Sequence, residues 1–240
     1  MLFAEGALLA SVLISTMVMA LVERRRIGSY GLSDPHAFTR FMSGVLAGVV
    51  PCSILIGGTA GLGYLAVRPA LFGSSFDILT YGCAWATAFF LVALSEEMLF
   101  RGYLQTALSR LIGFWPAAVI LSAAFGLVHL SNRETVPLSI AAATAVGLIL
   151  SLCLRLSGSL WWGIGYHSAW NWAQSYLYGT AIYGDYVEGR LLHSEPIGDP
   201  LWSGGAVGPE ASRLIVPVLV LTALIVWSSF RGRDRVAEPP

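Results

Sequence analysis

Glu96, Glu97 and Arg101 interrupt what otherwise reads as one helix from about Ile78 to Leu111, and they are the first residues here whose types suggest chemistry. A charged side chain at mid-bilayer costs about 2.5–3.5 kcal/mol on insertion scales, so three unpaired ones would cost roughly 8–10 kcal/mol. On a helix, Glu97 and Arg101 lie four apart on one face and can form an ion pair, while Glu96 points about 100° away from Glu97. One carboxylate is then neutralised and the other is left for proton transfer. A helix that had already left the membrane by Ser95 would instead make Glu96–Arg101 a charged juxtamembrane turn, and this stretch alone does not separate the two readings.

The next apolar stretch favours the first of them. A hairpin near Ile112-Gly113-Phe114, before Pro116, would set a helix ending at Leu111 antiparallel to one beginning at Trp115. Glu96 lies sixteen residues before Ile112 and His129 sixteen after Gly113, so each sits about 24 Å from the turn at 1.5 Å per residue. They can meet at one depth. Phe125 is one turn before His129 on the same face and is expected to pack on the imidazole and fix its orientation. His167 and Asn171, again four apart, share a face within the uncharged run Leu156–Gly184. Hydrogen bonding between membrane helices is the alternative use for that pair.

Taken together these residues supply what hydrolysis of an amide needs: a base for water, a group that positions it, and donors for a developing oxyanion. Ser95 and Ser168 lie close by but neither sits in a nucleophile-elbow pattern. No His-Glu-x-x-His is present, so a zincin-type metalloprotease is not expected, and neither a metal nor any other cofactor is called for. Cys52, Cys83 and Cys153 fall in different apolar runs with no zinc-like spacing and are expected to be small packing residues.

The elements that must position these groups are membrane helices. The chain is 56% hydrophobic and 12% charged with a mean hydropathy of +0.70, outside the range of soluble domains. Spanning the hydrocarbon core takes about 20 apolar residues, and suitable runs are Gly6–Val22, Phe41–Val67, Ile78–Ser95, Leu111–Asn132, Thr135–Leu154, Leu156–Gly184 and Leu214–Phe230. The expected fold is an all-α polytopic transmembrane helical bundle of about seven helices with the site inside it. Gly57, Gly58, Gly61 and Gly63 would let the long second run tilt, break or pack closely, which allows an eighth membrane element.

Glu5 precedes the first run and Glu23-Arg24-Arg25-Arg26 follow it, the pattern of an anchored span rather than a signal peptide. With seven alternating spans, Arg24, Arg25, Arg26, Arg40, Arg101, Arg110, Arg155, Arg231, Arg233 and Arg235 fall on one side, and Arg68, Arg133, Arg190 and Arg213 on the other. The positive-inside rule makes the first side cytoplasmic, with the N-terminus extracytoplasmic and the C-terminus cytoplasmic in a cell membrane. The net charge is zero and no basic stripe interleaved with aromatics appears, so nucleic acid is not an expected partner. The chain divides into N-terminal membrane helices (1–77), a helical core carrying the polar residues (78–178), an extracytoplasmic loop (179–212), and a C-terminal helix with a polar tail (213–240).

Three motifs resemble one known family, the CAAX prenyl protease and bacteriocin-processing (CPBP or Abi) family, which includes the type II CAAX endopeptidases. Its Glu-Glu-x-x-x-Arg is similar to Glu96-Glu97-Met98-Leu99-Phe100-Arg101, its Phe-x-x-x-His to Phe125–His129, and its His-x-x-x-Asn to His167–Asn171. Each motif alone is weak; the three in order cover about Ile78–Tyr178 without departing from the pattern. The resemblance implies a metal-independent intramembrane glutamic endopeptidase. In it Glu96 deprotonates water with help from His129, His167 and Asn171 stabilise the oxyanion, and Glu97, Arg101 and Phe125 support them. The implied partners are membrane lipids and a membrane-associated peptide or protein, prenylated or secreted. A non-catalytic immunity or scaffold protein of the same fold is the alternative, and a transporter with intramembrane ionisable groups is a third reading. No internal repeat of the kind paired broken helices would leave is visible for the transporter.

Overall fold

The computed structural model describes residues 2–70 and 75–231. Arg233 and Arg235, two of the arginines counted for the cytoplasmic tail, lie outside the described residues. Helix α1 (Leu2–Val22) leads through a loop to α2 (Ala37–Gly61), then a short strand β1 (Leu65–Pro69) and α3 (Ser75–Glu97). Helix α3 runs on through a π-helical segment, Met98–Leu104, into α4 (Gln105–Ile112). Helices α5 (Phe114–Val128), α6 (Pro137–Ser157) and α7 (Trp161–Trp172) follow, the last extended by a second π segment, Ala173–Leu177. Strand β2 (Leu192–Pro196), a one-turn helix α8 (Pro200–Ser203) and α9 (Ile215–Phe230) follow.

The burial pattern is that of a protein whose solvent is lipid. Leu21, Leu111, Val119, Leu127, Val220 and Leu224 face outward with more than half their surface exposed, whereas Thr59, Glu97, Arg101, Gln105, Ser122 and Ser151 are buried. Water does not tolerate so much exposed apolar surface on a monomer, and lipid does. Among the described residues, four helices are long and apolar enough to cross a membrane: Ala37–Gly61, Ser75–Ile112, Phe114–Ser131 and Pro137–Ser157. Gly6–Val22 and Ile215–Phe230 are apolar but shorter. The run Leu156–Gly184, expected as a span, yields α7 and its π extension, most of it buried among the other helices.

Helix α2 is the other departure. It does not continue to Val67 but ends at Gly61, and Leu65–Pro69 pairs antiparallel with β2, with Leu65 opposite Pro196 and Pro69 opposite Leu192. The loop expected over 179–212 is therefore partly ordered by a two-stranded sheet added to the helical bundle. Gly57, Gly58 and Gly61 face open space, so they do not mediate close packing. Gly44 and Gly48 do: a Cβ at either would run into the backbone of α7 at Trp162 and Tyr166, and Gly165 of α7 meets the backbone of Phe41 in the same way. Small residues on both partners let α2 and α7 approach closely, which membrane helices use in place of a hydrophobic driving force.

The hairpin between α4 and α5 forms as its sequence suggests, with Gly113 at φ 87, a conformation that suits glycine. At this end of the bundle Arg110 pairs with Glu23 (2.9 Å), Arg40 with Asp34 (3.0 Å), and the Trp161 indole donates to Leu32 O (2.9 Å). At the other end lie the sheet, the turn after His129 and the 178–214 connection. Of the cysteines, Cys52 and Cys153 are buried as expected for packing residues, while Cys83 is exposed.

Candidate active site

The chemistry-bearing residues come from three helices. Glu96 and Glu97 end α3, immediately before the π segment that carries Arg101. His129 follows the last residue of α5 and opens a single 3₁₀ turn. His167 and Asn171 lie on α7, just before its own π segment. π turns interrupt helices often at functional sites, and here each begins within two residues of a motif.

The Glu97–Arg101 pair expected from the spacing forms, at 3.2 Å, with both side chains 1% exposed. It is not isolated. His167 Nδ1 lies 3.1 Å from the same Glu97 Oε1, and His167 Nε2 lies 3.7 Å from Glu96 Oε2. The imidazole thus stands between the two carboxylates, and the α3–α7 contact is polar at its centre. Sequence spacing pairs His167 only with Asn171; nothing in a linear pattern places it against Glu97 across the intervening helices.

Phe125 organises the other side. Its ring centroid is 4.8 Å from that of His129, 6.2 Å from that of His167 and 5.2 Å from that of Phe100, and the Arg101 guanidinium lies 4.2 Å above it. A cation over an aromatic face is attracted by the ring quadrupole, more so when water is excluded. His129 Nδ1 donates to Phe125 O at 2.6 Å. A carbonyl oxygen can only accept, so Nδ1 carries the proton; in the neutral ring Nε2 is then an acceptor.

Glu96, Phe125, His129, His167 and Asn171 all line one cavity of about 660 Å³. Trp85, Phe89, Tyr166 and Trp170 give it an aromatic wall. Three further polar groups, Tyr183, Asp185 and Glu210, enter from the 178–214 connection. These are residues that the sequence does not single out; the local signals are a Tyr-Gly dipeptide and a carboxylate after a proline in an otherwise apolar setting. Glu210 is 8% exposed, and burial pushes its carboxyl up to about 7. Among the described residues no group of three His, Cys, Asp or Glu side chains is arranged to hold a metal ion.

The arrangement places a carboxylate, an imidazole acceptor and an imidazole–amide pair around one cavity, the components of water activation and oxyanion stabilisation. No curated protein and no solved structure matches the chain. Residues 79–173, which contain every one of the three motifs, match the family model described as Type II CAAX prenyl endopeptidase Rce1-like, so this helical core is similar to the family that the motifs resemble.

Proposed function

We propose that the chain is a membrane-embedded endopeptidase that hydrolyses a peptide bond of a membrane-associated protein or peptide with a water molecule activated by Glu96 and His129. The observation that carries this reading is the shared cavity: Glu96, His129, His167 and Asn171, from three separate helices, all line it. In the forward direction Glu96 takes a proton from water while the His129 Nε2 acceptor orients it. Hydroxide adds to the carbonyl carbon, and the oxyanion is met by Asn171 Nδ2–H and an N–H of His167. Collapse of the tetrahedral intermediate breaks the C–N bond, and the proton held by Glu96 passes to the leaving amine. Glu97 takes no proton in this scheme, because Arg101 and His167 already share its Oε1.

The proposed chemistry is metal-independent, since Asn171 is a poor zinc ligand and a good hydrogen-bond donor. The proposed setting is a cell membrane crossed by seven helices, with the N-terminus and the 179–212 connection outside. The core 78–178 then forms the catalytic unit, with membrane lipids as its surroundings. The name of the matching family makes a prenylated C-terminal peptide the first substrate to try. Incubating the purified chain in lipid nanodiscs with a farnesylated CAAX peptide and resolving the products by mass spectrometry tests the reading. Cleavage by wild type and none by Glu96→Gln is expected; equal cleavage by both would overturn it. A non-catalytic scaffold is favoured if Glu96→Gln keeps the cellular phenotype of the wild type.

A further inference from the structure

The 178–214 connection contains a strained turn aimed at the cavity. Ile182 and Asp185 exchange backbone hydrogen bonds, N to O at 2.9 Å and 3.0 Å, enclosing Tyr183 and Gly184. Their φ values are 49° and 88°. Positive φ at both central residues is the signature of a type I′ turn, which Asn-Gly, Asp-Gly and Gly-Gly satisfy without strain. Tyrosine does not, because its Cβ crowds the backbone in the left-handed region. The other non-glycine residue with positive φ among the described residues, Arg24, sits in a turn at the end of α1. Bulky residues hold such a conformation only where their surroundings over-determine it, and they concentrate at active sites.

The surroundings do over-determine it. Tyr183 O accepts from Glu134 N (3.0 Å), Gly184 N donates to Val207 O (3.1 Å), and Asp185 lies 3.6 Å from Arg133. The turn is thereby tied to Val207 and to Arg133 and Glu134, shortly after His129. The outcome is the position of the ring: Tyr183 sits 5.0 Å from the His129 ring centroid, tilted at 46°. Phe125 holds another side of the same imidazole at 4.8 Å and its carbonyl takes Nδ1–H. Two rings and one hydrogen bond restrain the imidazole in an orientation that commits Nδ1 to the Phe125 carbonyl and leaves Nε2 for chemistry. Tyr183 lies beyond residues 79–173, so it belongs to the part of the chain that the family match does not cover.

We propose that Tyr183 is a positioning residue, held in a strained turn so that its ring locks the His129 imidazole for proton transfer. The inference rests on the proteolytic reading given above. A purely structural tyrosine would be indifferent to His129, whereas the geometry here accepts a disfavoured backbone in order to place that ring.

Tyr183→Gly relieves the backbone and removes the ring, which makes it the decisive variant; Tyr183→Phe keeps the ring. Each is assayed for kcat and KM on the farnesylated CAAX peptide and for melting temperature. The His129 ring resonance is read by NMR in histidine-labelled protein, assigned by its loss in His129→Gln. The expected result is a Tyr183→Gly protein that melts no lower than wild type. Its kcat falls at least tenfold with KM within threefold, and its His129 resonance is shifted; Tyr183→Phe restores both. A Tyr183→Gly protein with wild-type kcat, or with an unshifted His129 resonance, overturns the proposal, as does one that melts lower while keeping its kcat. Full activity of Glu96→Gln would instead defeat the proteolytic reading. If wild type leaves the peptide uncut, the His129 resonance alone decides whether Tyr183 fixes that ring.

Discussion

His167 Nδ1 lies 3.1 Å from Glu97 Oε1, the same oxygen that receives Arg101 Nη1 at 3.2 Å. Glu97 thereby joins α3, the π segment and α7 through one carboxylate that is almost wholly removed from solvent. Glu96, its neighbour in sequence, is 27% exposed at its side chain and lines the cavity. Adjacent residues of one type so have separate environments, and environment decides which carboxylate is structural and which can move protons.

Substitution should expose that difference. Glu97→Gln leaves the Arg101 charge buried with a neutral partner, a change that costs about 3–5 kcal/mol when a buried pair is broken. The melting temperature should fall clearly and the yield with it, with partial loss of activity. Glu96→Gln keeps the side-chain shape and removes the proposed base, so kcat should fall by at least about 10²-fold with the melting temperature near that of wild type. Thermal melts and kcat on the two proteins decide it, and a stable, inactive Glu97→Gln beside an active Glu96→Gln would reverse the assignment.

Asn171 makes a different prediction because its proposed role is confined to the transition state. Loss of one oxyanion donor typically costs about 10²–10³ in turnover, or ~2.7–4 kcal/mol. A ground-state carbonyl bears less charge than the tetrahedral oxyanion, so Asn171→Ala should lower kcat by that factor and change KM far less. If Asn171 merely joins helices, the pattern inverts. A lower melting temperature with wild-type kcat in the folded fraction would remove it from the catalytic set.

Chelation tests the water-activation step directly. Dialysis of active protein against EDTA and 1,10-phenanthroline should leave the cleavage rate unchanged, because Glu96 and His129 are proposed to act on water themselves. Loss of activity restored by stoichiometric zinc would show that a metal holds the nucleophile.

Relationships within one helix or turn are legible in the amino-acid sequence, and those between distant segments are not. Phe125 under His129 and Glu97 beside Arg101 follow from a four-residue spacing on one helix, and the Gly113 hairpin from the residue that tolerates its φ. Gly57 and Gly48 are alike on paper, yet one faces open space and the other meets the α7 backbone. Which side of α2 touches a neighbour depends on a helix more than a hundred residues later in the chain. The pairing of β1 with β2 and of Glu97 with His167 is equally non-local. Helix α7 is shorter than its apolar run suggests because a buried central helix and a lipid-facing span have the same composition. Tyr183 is hidden for another reason: left-handed backbone at a tyrosine is a cost imposed by tertiary contacts, and residue type alone argues against it.

Glu210 supplies the pH dependence. It lies in the 178–214 connection, outside the membrane helices, yet is 8% exposed and lines the same cavity as Glu96 and His129. Its Oε2 finds no hydrogen-bond partner among the described residues. Burial favours the neutral acid and pushes the carboxyl from 4.5 up to about 7. The folded chain therefore holds this proton where the unfolded chain has released it, and stability falls as pH rises from about 4.5 through about 7. Between those limits the shift corresponds to about 3 kcal/mol, taken at 1.36 kcal/mol per pH unit. Glu210→Gln carries no proton to lose and nearly preserves the shape of the neutral acid, so its stability should decline less across this window than that of wild type. Melting temperatures of both proteins at pH 5, 6, 7 and 8 in the same lipid nanodiscs make the comparison. Parallel curves would show that Glu210 is already ionised in the folded state at pH 5, and a steeper decline in Glu210→Gln would reverse the sign of its contribution.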